Sequence, residues 1–135
     1  MLKLPVVSCL AVLALAMVAA APAGAIPGDI AVLQGLDKIT ARISTFEAPL
    51  DTAVRFGSLQ IVARACDKRP PEETPESTAF LEIVDIRPDS PAVQIFTGWM
   101  FASSPAISAL EHPVYDVWVV DCKKASSSAS ETAPE

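Results

Sequence analysis

The stretch Gly98-Trp-Met-Phe-Ala-Ser-Ser-Pro-Ala-Ile-Ser-Ala-Leu-Glu-His-Pro-Val-Tyr-Asp-Val-Trp-Val-Val-Asp-Cys122 decides how this chain is read. It holds both tryptophans, the only tyrosine and the only histidine. Large aromatic side chains dominate core energetics, so the core is expected to converge here. Residues 114–122 alternate Tyr115, Val117 and Val119 with Asp116, Trp118 and Val120, the period of two that marks a strand. Ahead of it, residues 103–113 read as a short helical insert. A serine can cap its start, Pro105 suits the first helical position and Pro113 enforces a stop.

Working outward, residues 93–101 form a strand in which Gly98 suggests a bulge or a close backbone approach. Pro88-Asp-Ser-Pro91 is a turn, and the more apolar residues 79–87 predict a central strand. Residues 67–77 carry Pro70, Pro71 and Pro75 among charges and predict an extended, solvated loop. From residue 56 or 59 to Cys66 runs another strand, with Leu59, Ile61, Ala63 and Ala65 on one face and Gln60, Arg64 and Cys66 on the other. Residues 46–52 read as a turn and residues 38–44 as a strand with one wet face. Short strands, one brief helical turn and no βαβ alternation predict an all-β fold, a small antiparallel β-sandwich or barrel.

The two ends of the chain are of another kind. Residues 1–25 have the layout of a cleavable signal peptide: Lys3, an apolar run, then Ala23-Gly24-Ala25. The run approaches the ~18 apolar residues of a membrane span, so an uncleaved anchor is the competing expectation. Cys9 precedes most of the run and is not expected to carry lipid. Cleavage predicts a periplasmic protein with one β domain over residues 26–122 and a disordered tail over residues 123–135.

The formal net charge is −6, and removal of Lys3 deepens it. An acidic protein is a poor partner for nucleic acid or an anionic membrane. Outside the leader only Cys66 and Cys122 remain, and in an oxidising compartment they are expected to pair. The alternative, a metal site with His112 as third ligand, lacks paired C-x-x-C spacing. No cofactor motif is present.

Three catalytic or binding constellations can be drawn. Ser103 or Ser104 with His112 and Asp116 has the residue types of a triad but not the G-x-S-x-G elbow, and capping explains the serine more simply. Glu72, Glu73 and Glu76, or Glu82 and Asp85, supply carboxylates, but glycoside hydrolysis needs a pair held about 5 to 9 Å apart in a cleft. Trp99 and Trp118 could stack on a sugar, although their apolar neighbours favour burial. The leading expectation is a non-enzymatic domain, without cofactor or metal, that binds or supports another cell-envelope component. Its interaction surface would comprise Arg69, Glu72, Glu73, Glu76, Ser103, Ser104, Glu111 and His112. A glycan-binding module using exposed tryptophan, or a small serine hydrolase using Ser104 and His112, are the alternatives.

Three segments carry a resemblance: Val32-Leu-Gln-Gly-Leu-Asp-Lys-Ile-Thr-Ala41, Cys66-Asp-Lys-Arg-Pro-Pro-Glu-Glu-Thr-Pro-Glu-Ser77, and Gly98-Trp-Met-Phe-Ala-Ser-Ser-Pro-Ala106 through Glu111-His-Pro-Val-Tyr-Asp-Val-Trp118. Together they resemble a family of small secreted proteins, found mainly in alphaproteobacteria and catalogued as domain of unknown function 2155. The resemblance implies a periplasmic protein without established activity or cofactor, and it brings no catalytic residues to carry over.

Overall fold

The computed structural model describes residues 24–125, so most of the leader and the last ten residues lie outside it. The described chain forms two antiparallel sheets packed face to face, the sandwich expected of strands with alternating burial. The chain enters through a two-residue strand, β1 (Ile26–Pro27), continues into β2 (Ile30–Asp37), and turns into β3 (Arg42–Pro49) and the short β4 (Ala53–Phe56). Then β5 (Leu59–Lys68), β6 (Ser77–Asp85) and β7 (Val93–Phe101) run as a meander, and β8 (Tyr115–Lys123) closes the fold. One sheet has the order β1-β5-β6-β7 with β4 also on β5; the other is β3-β2-β8.

The sheets share a corner. β1 and β4 lie on the same side of β5, paired with its last and first residues respectively. Between them the Gly28 amide donates to the Cys66 carbonyl and the Asp51 amide to the Ala63 carbonyl, as the chain passes from one sheet to the other. At this crossing β5 carries a bulge between Ala63 and Ala65. The extra residue corrects the expected phase of the strand. Leu59, Ile61 and Ala63 face inward as expected, Arg64 is extruded, and Cys66 returns to the inner face instead of the outer one.

That inversion lets Cys66 meet Cys122. The two form a disulfide between β5 and β8, hence between sheets, with Cα atoms 5.7 Å apart. Around it the core is aliphatic: Leu33, Leu59, Ile61, Leu81, Ile83 and Val119 are fully buried. Each such burial is worth about 1.5–3 kcal/mol. The tryptophans, expected in the core, lie outside it. Trp99 is 41% exposed on the outer face of one sheet, whereas Trp118, half-buried on the outer face of the other, donates to the Gln34 side chain. Strands packed this closely leave a gap best filled by branched aliphatics, and indole fits better where one side stays wet.

Four other rings close one end of the sandwich. Phe46 stacks on Phe56, Phe56 meets Tyr115 edge-on, and Tyr115 stacks on His112. The ladder depends on two glycines. A Cβ on Gly35 would lie 2.6 Å from the Phe56 ring. Gly57, at φ +57°, opens the two-residue hairpin loop under Tyr115, and a side chain there would strike that ring.

Other expectations are corrected locally. Residues 38–41, read as strand, are the β2–β3 turn: the Asp37 side chain accepts from the Ile39 and Thr40 amides, and Ala41 has φ 57°. Residues 46–49, read as turn, belong to β3, whose terminal Pro49 sits on an edge strand where no ladder donor is required. In β7 the irregularity falls at Ile95, not Gly98. The insert holds one 3₁₀ turn, Pro105–Ile107, without a side-chain cap from Ser104. Lys123 extends β8, and the rest of the expected tail from residue 126 onward lies outside the described residues.

Two outcomes follow for stability. With a sequence separation of 56 between the cysteines, Cys122→Ser should lower unfolding free energy by about 4 kcal/mol, read from urea melts without reductant. Gly35→Ala should cost about 1–3 kcal/mol in the same melts, relieved when Phe56 is also shortened to Leu.

Candidate functional site

His112 and its neighbours form the most buried polar cluster. Asp85 ends β6 on the inner face, with its side chain only 8% exposed and that of His112 only 4%. Ser58 Oγ donates to Asp85 Oδ1 at 2.6 Å, while Oδ2 accepts from Arg87 Nε at 2.8 Å and contacts His112 Nε2 at 3.1 Å. On the far side of the ring, Nδ1 accepts from the Val114 and Tyr115 amides at 3.0 and 3.1 Å. Two amide donors fix Nδ1 as the acceptor, so Nε2 carries the hydrogen and donates it to Asp85. The hydrogen bond from Ser58 is the strongest influence holding the Asp85 carboxyl below its usual range. Burial opposes it, and His112 and Arg87 add to the lowering.

This arrangement has a chemical consequence. In a serine triad one ring nitrogen donates to a carboxylate while the other takes the serine proton. Here Nε2 is committed to Asp85 and Nδ1 to two amides, so neither nitrogen is left for Ser103 or Ser104. Asp116 pairs with Lys38 instead, at 3.4 Å. The carboxylates Glu82 and Asp85 project from opposite faces of β6, with Glu82 bound to Arg64 outside and Asp85 to His112 inside.

The second site lies at the disulfide end. Here the proline-rich loop leaves β5 and returns to β6, its base closed by a hydrogen bond from the Arg69 amide to the Glu76 carbonyl at 3.0 Å. Glu76 Oε1 accepts from the Ser77 and Ser103 amides, and Oε2 accepts from the Ser103 hydroxyl. Burial pushes the Glu76 carboxyl up, but these hydrogen bonds more than offset it and hold it low. Asp121 is likewise raised by burial and lowered further by Lys68, 2.8 Å away, and by the Cys122 amide. Between loop, insert and β8 opens a groove of about 620 Å³, walled by Pro70, Pro71 and Pro75 and floored by Ala102 and Val120. Lys68, Arg69 and Glu73 rim it.

The family described as "Uncharacterized protein conserved in bacteria (DUF2155)" matches residues 31–122. The chain belongs to this family. The match opens at the second residue of β2 and closes on Cys122, so the part of the chain assigned to DUF2155 contains the disulfide, the His112 cluster and the loop. The "Uncharacterized protein RP359" of Rickettsia prowazekii (strain Madrid E) is 29% identical over 87 residues, which cover 64% of this chain and 56% of the relative. No solved structure matches.

Within this DUF2155 domain six of the eight residues expected on the interaction surface fall into two groups, and one of them, His112, is buried. Arg69, Glu73, Glu76 and Ser103 line the groove, whereas Glu111 and His112 line a second hollow of about 400 Å³ with Asp85 and Arg87. Glu72 is exposed on the loop, and the Ser104 amide returns to the Phe101 carbonyl. Among the described residues no group of three or more His, Cys, Asp and Glu could hold a metal, and no helix is long and apolar enough to cross a membrane. The sequence reading missed Asp85 as the partner of His112, because 27 residues of chain separate them without any motif.

The Asp85 cluster predicts a pH dependence. A carboxyl held below its unfolded value of about 3.9 contributes in full above that value and is lost as pH falls through its own lower one. Asp85→Asn should therefore melt lower than the parent at pH 7, and the gap should close toward pH 2 in thermal melts.

Proposed function

We propose that this protein is a non-enzymatic periplasmic domain that holds an extended segment of another envelope protein in the groove beside its proline-rich loop. The observation that carries this reading is that the groove is open yet its walls are fixed. Glu76 ties the loop to Ser103, and the disulfide with the Lys68–Asp121 pair fixes the floor. Proline rings offer apolar contact with little freedom left to lose, so a chain laid against Pro70, Pro71 and Pro75 costs little ordering on the protein's side. The charged rim gives such a segment direction. The engagement of both His112 nitrogens supports a binding role over hydrolysis. The leader-like residues 1–25 and the buried disulfide support the periplasm as the compartment.

A photoreactive residue at position 71 should yield a discrete adduct in intact cells, and one at the exposed Arg55 should not. Glu73→Arg should reduce that adduct without changing the melt. Glu76→Ala should reduce it while lowering the melt slightly, because the loop loses its tie. Equal labelling from both positions, or an adduct indifferent to Glu73→Arg, would remove the groove from the reading. A fluorophosphonate probe should leave the protein unlabelled; labelling at Ser103 or Ser104 would overturn the non-enzymatic part.

A further inference from the structure

We propose that the outward face of β6 and β7 binds a glycan strand of N-acetylated hexosamines. This reading does not rest on the groove: its aromatic residues lie on the sheet face, and only the hollow at the Phe101 end shares Lys68, Arg69 and Glu76 with the groove.

Register places the elements of such a site in rows. Phe80 lies opposite Trp99, and Thr78 opposite Phe101, so three aromatic side chains share one outer face. Phe80 packs against Trp99 in edge geometry, with centroids 5.5 Å apart, which holds the half-exposed indole in place from the neighbouring strand. Trp99 and Phe101 are two residues apart on one strand, a spacing of about 7 Å. Linked sugar rings can lie across both. At the Phe101 end the face sinks into a hollow of about 180 Å³ lined by Phe101, Thr78, Asp67 and Arg69 among others. On the other side of Trp99, the next row holds Glu82 and Thr97, with Arg64 fixed between Glu82 and Asp51 at 3.1 and 3.0 Å.

The chemistry of these rows selects the occupant. A pyranose offers an apolar C–H face to an aromatic ring and paired hydroxyls to planar polar groups at its rim. An acetamido group adds a methyl for the ring and an amide for Arg64 or Thr97. A protein partner fits less well. A stable interface removes about 800 Å² per side from water, which here would take the Arg64–Glu82–Asp51 cluster with it. Burying such charges costs several kcal/mol per ion unless the partner compensates them. A sugar covers the ring and leaves that row wet. Trp118 lies on the other sheet and cannot share the ligand.

The test uses the whole exported protein carrying Trp118→Phe, so that Trp99 alone reports. Chitotetraose, the tetramer of N-acetylglucosamine, should give a saturable blue shift, and maltotetraose, which lacks acetamido groups, should not. By calorimetry Trp99→Ala should weaken chitotetraose binding about tenfold, the scale of one lost aromatic contact. Arg64→Gln, on the exposed side of the sheet, should weaken it severalfold with an unchanged melt. Absence of a saturable shift, equal response to maltotetraose, or affinity indifferent to both substitutions would overturn the proposal. So would sedimentation showing a dimer that Trp99→Ala dissociates, since the face would then be covered by a second copy.

Discussion

One extra residue in β5 governs much of this molecule. A strand of strict period two would leave Cys66 on the outer face beside Gln60, out of reach of the opposite sheet. The bulge at Arg64 resets the phase, and the thiol enters the core. The extrusion of Arg64 toward Glu82 and Asp51 depends on that reset, and so does the covalent tie between sheets, which also needs a matching bulge at Val120 of β8 to turn Cys122 inward. Bulges bend strands and sharpen twist, which suits a corner where two chain segments change sheets.

The sandwich is thus held at both ends by unlike means. At one end a sulfur bridge joins β5 to β8; at the other, Asp85 joins Ser58, Arg87 and His112, and His112 in turn accepts from the amides of Val114 and of Tyr115, the first residue of β8. Both devices connect the two sheets. Between them the core is left to Leu, Ile, Val and Ala, with Met100 as the largest flexible filler. Such a division places most polar and aromatic residues at the ends and outer faces, with Phe96, opposite Ile83, packed against the core.

Alternation made β6 legible along its length, and β7 and β8 legible on one side of a bulge each, from Phe96 onward in β7 and up to Val119 in β8. Where the pattern misled, a local interaction had replaced it. The β2–β3 turn contains neither glycine nor proline; Asp37 builds it with its own side chain, and Ile39 and Ile43 carry the alternation through the bend. Bulges at Arg64, Ile95 and Val120 leave no mark in composition. The pairing of Cys66 with Cys122 followed from there being no other candidate outside the leader, whereas the grip of Glu76 on Ser103 and of Asp85 on His112 each spans 27 residues that share no motif. Their neighbours in space are products of strand order, which periodicity does not encode.

The bridge between β5 and β8 also divides the life of the chain into two regimes. In a thiol-reducing milieu the same polypeptide must hold its sheets together with aliphatic contacts and the Asp85 network alone. Oxidation then acts as a ratchet: once the sulfurs join, unravelling backward becomes costly.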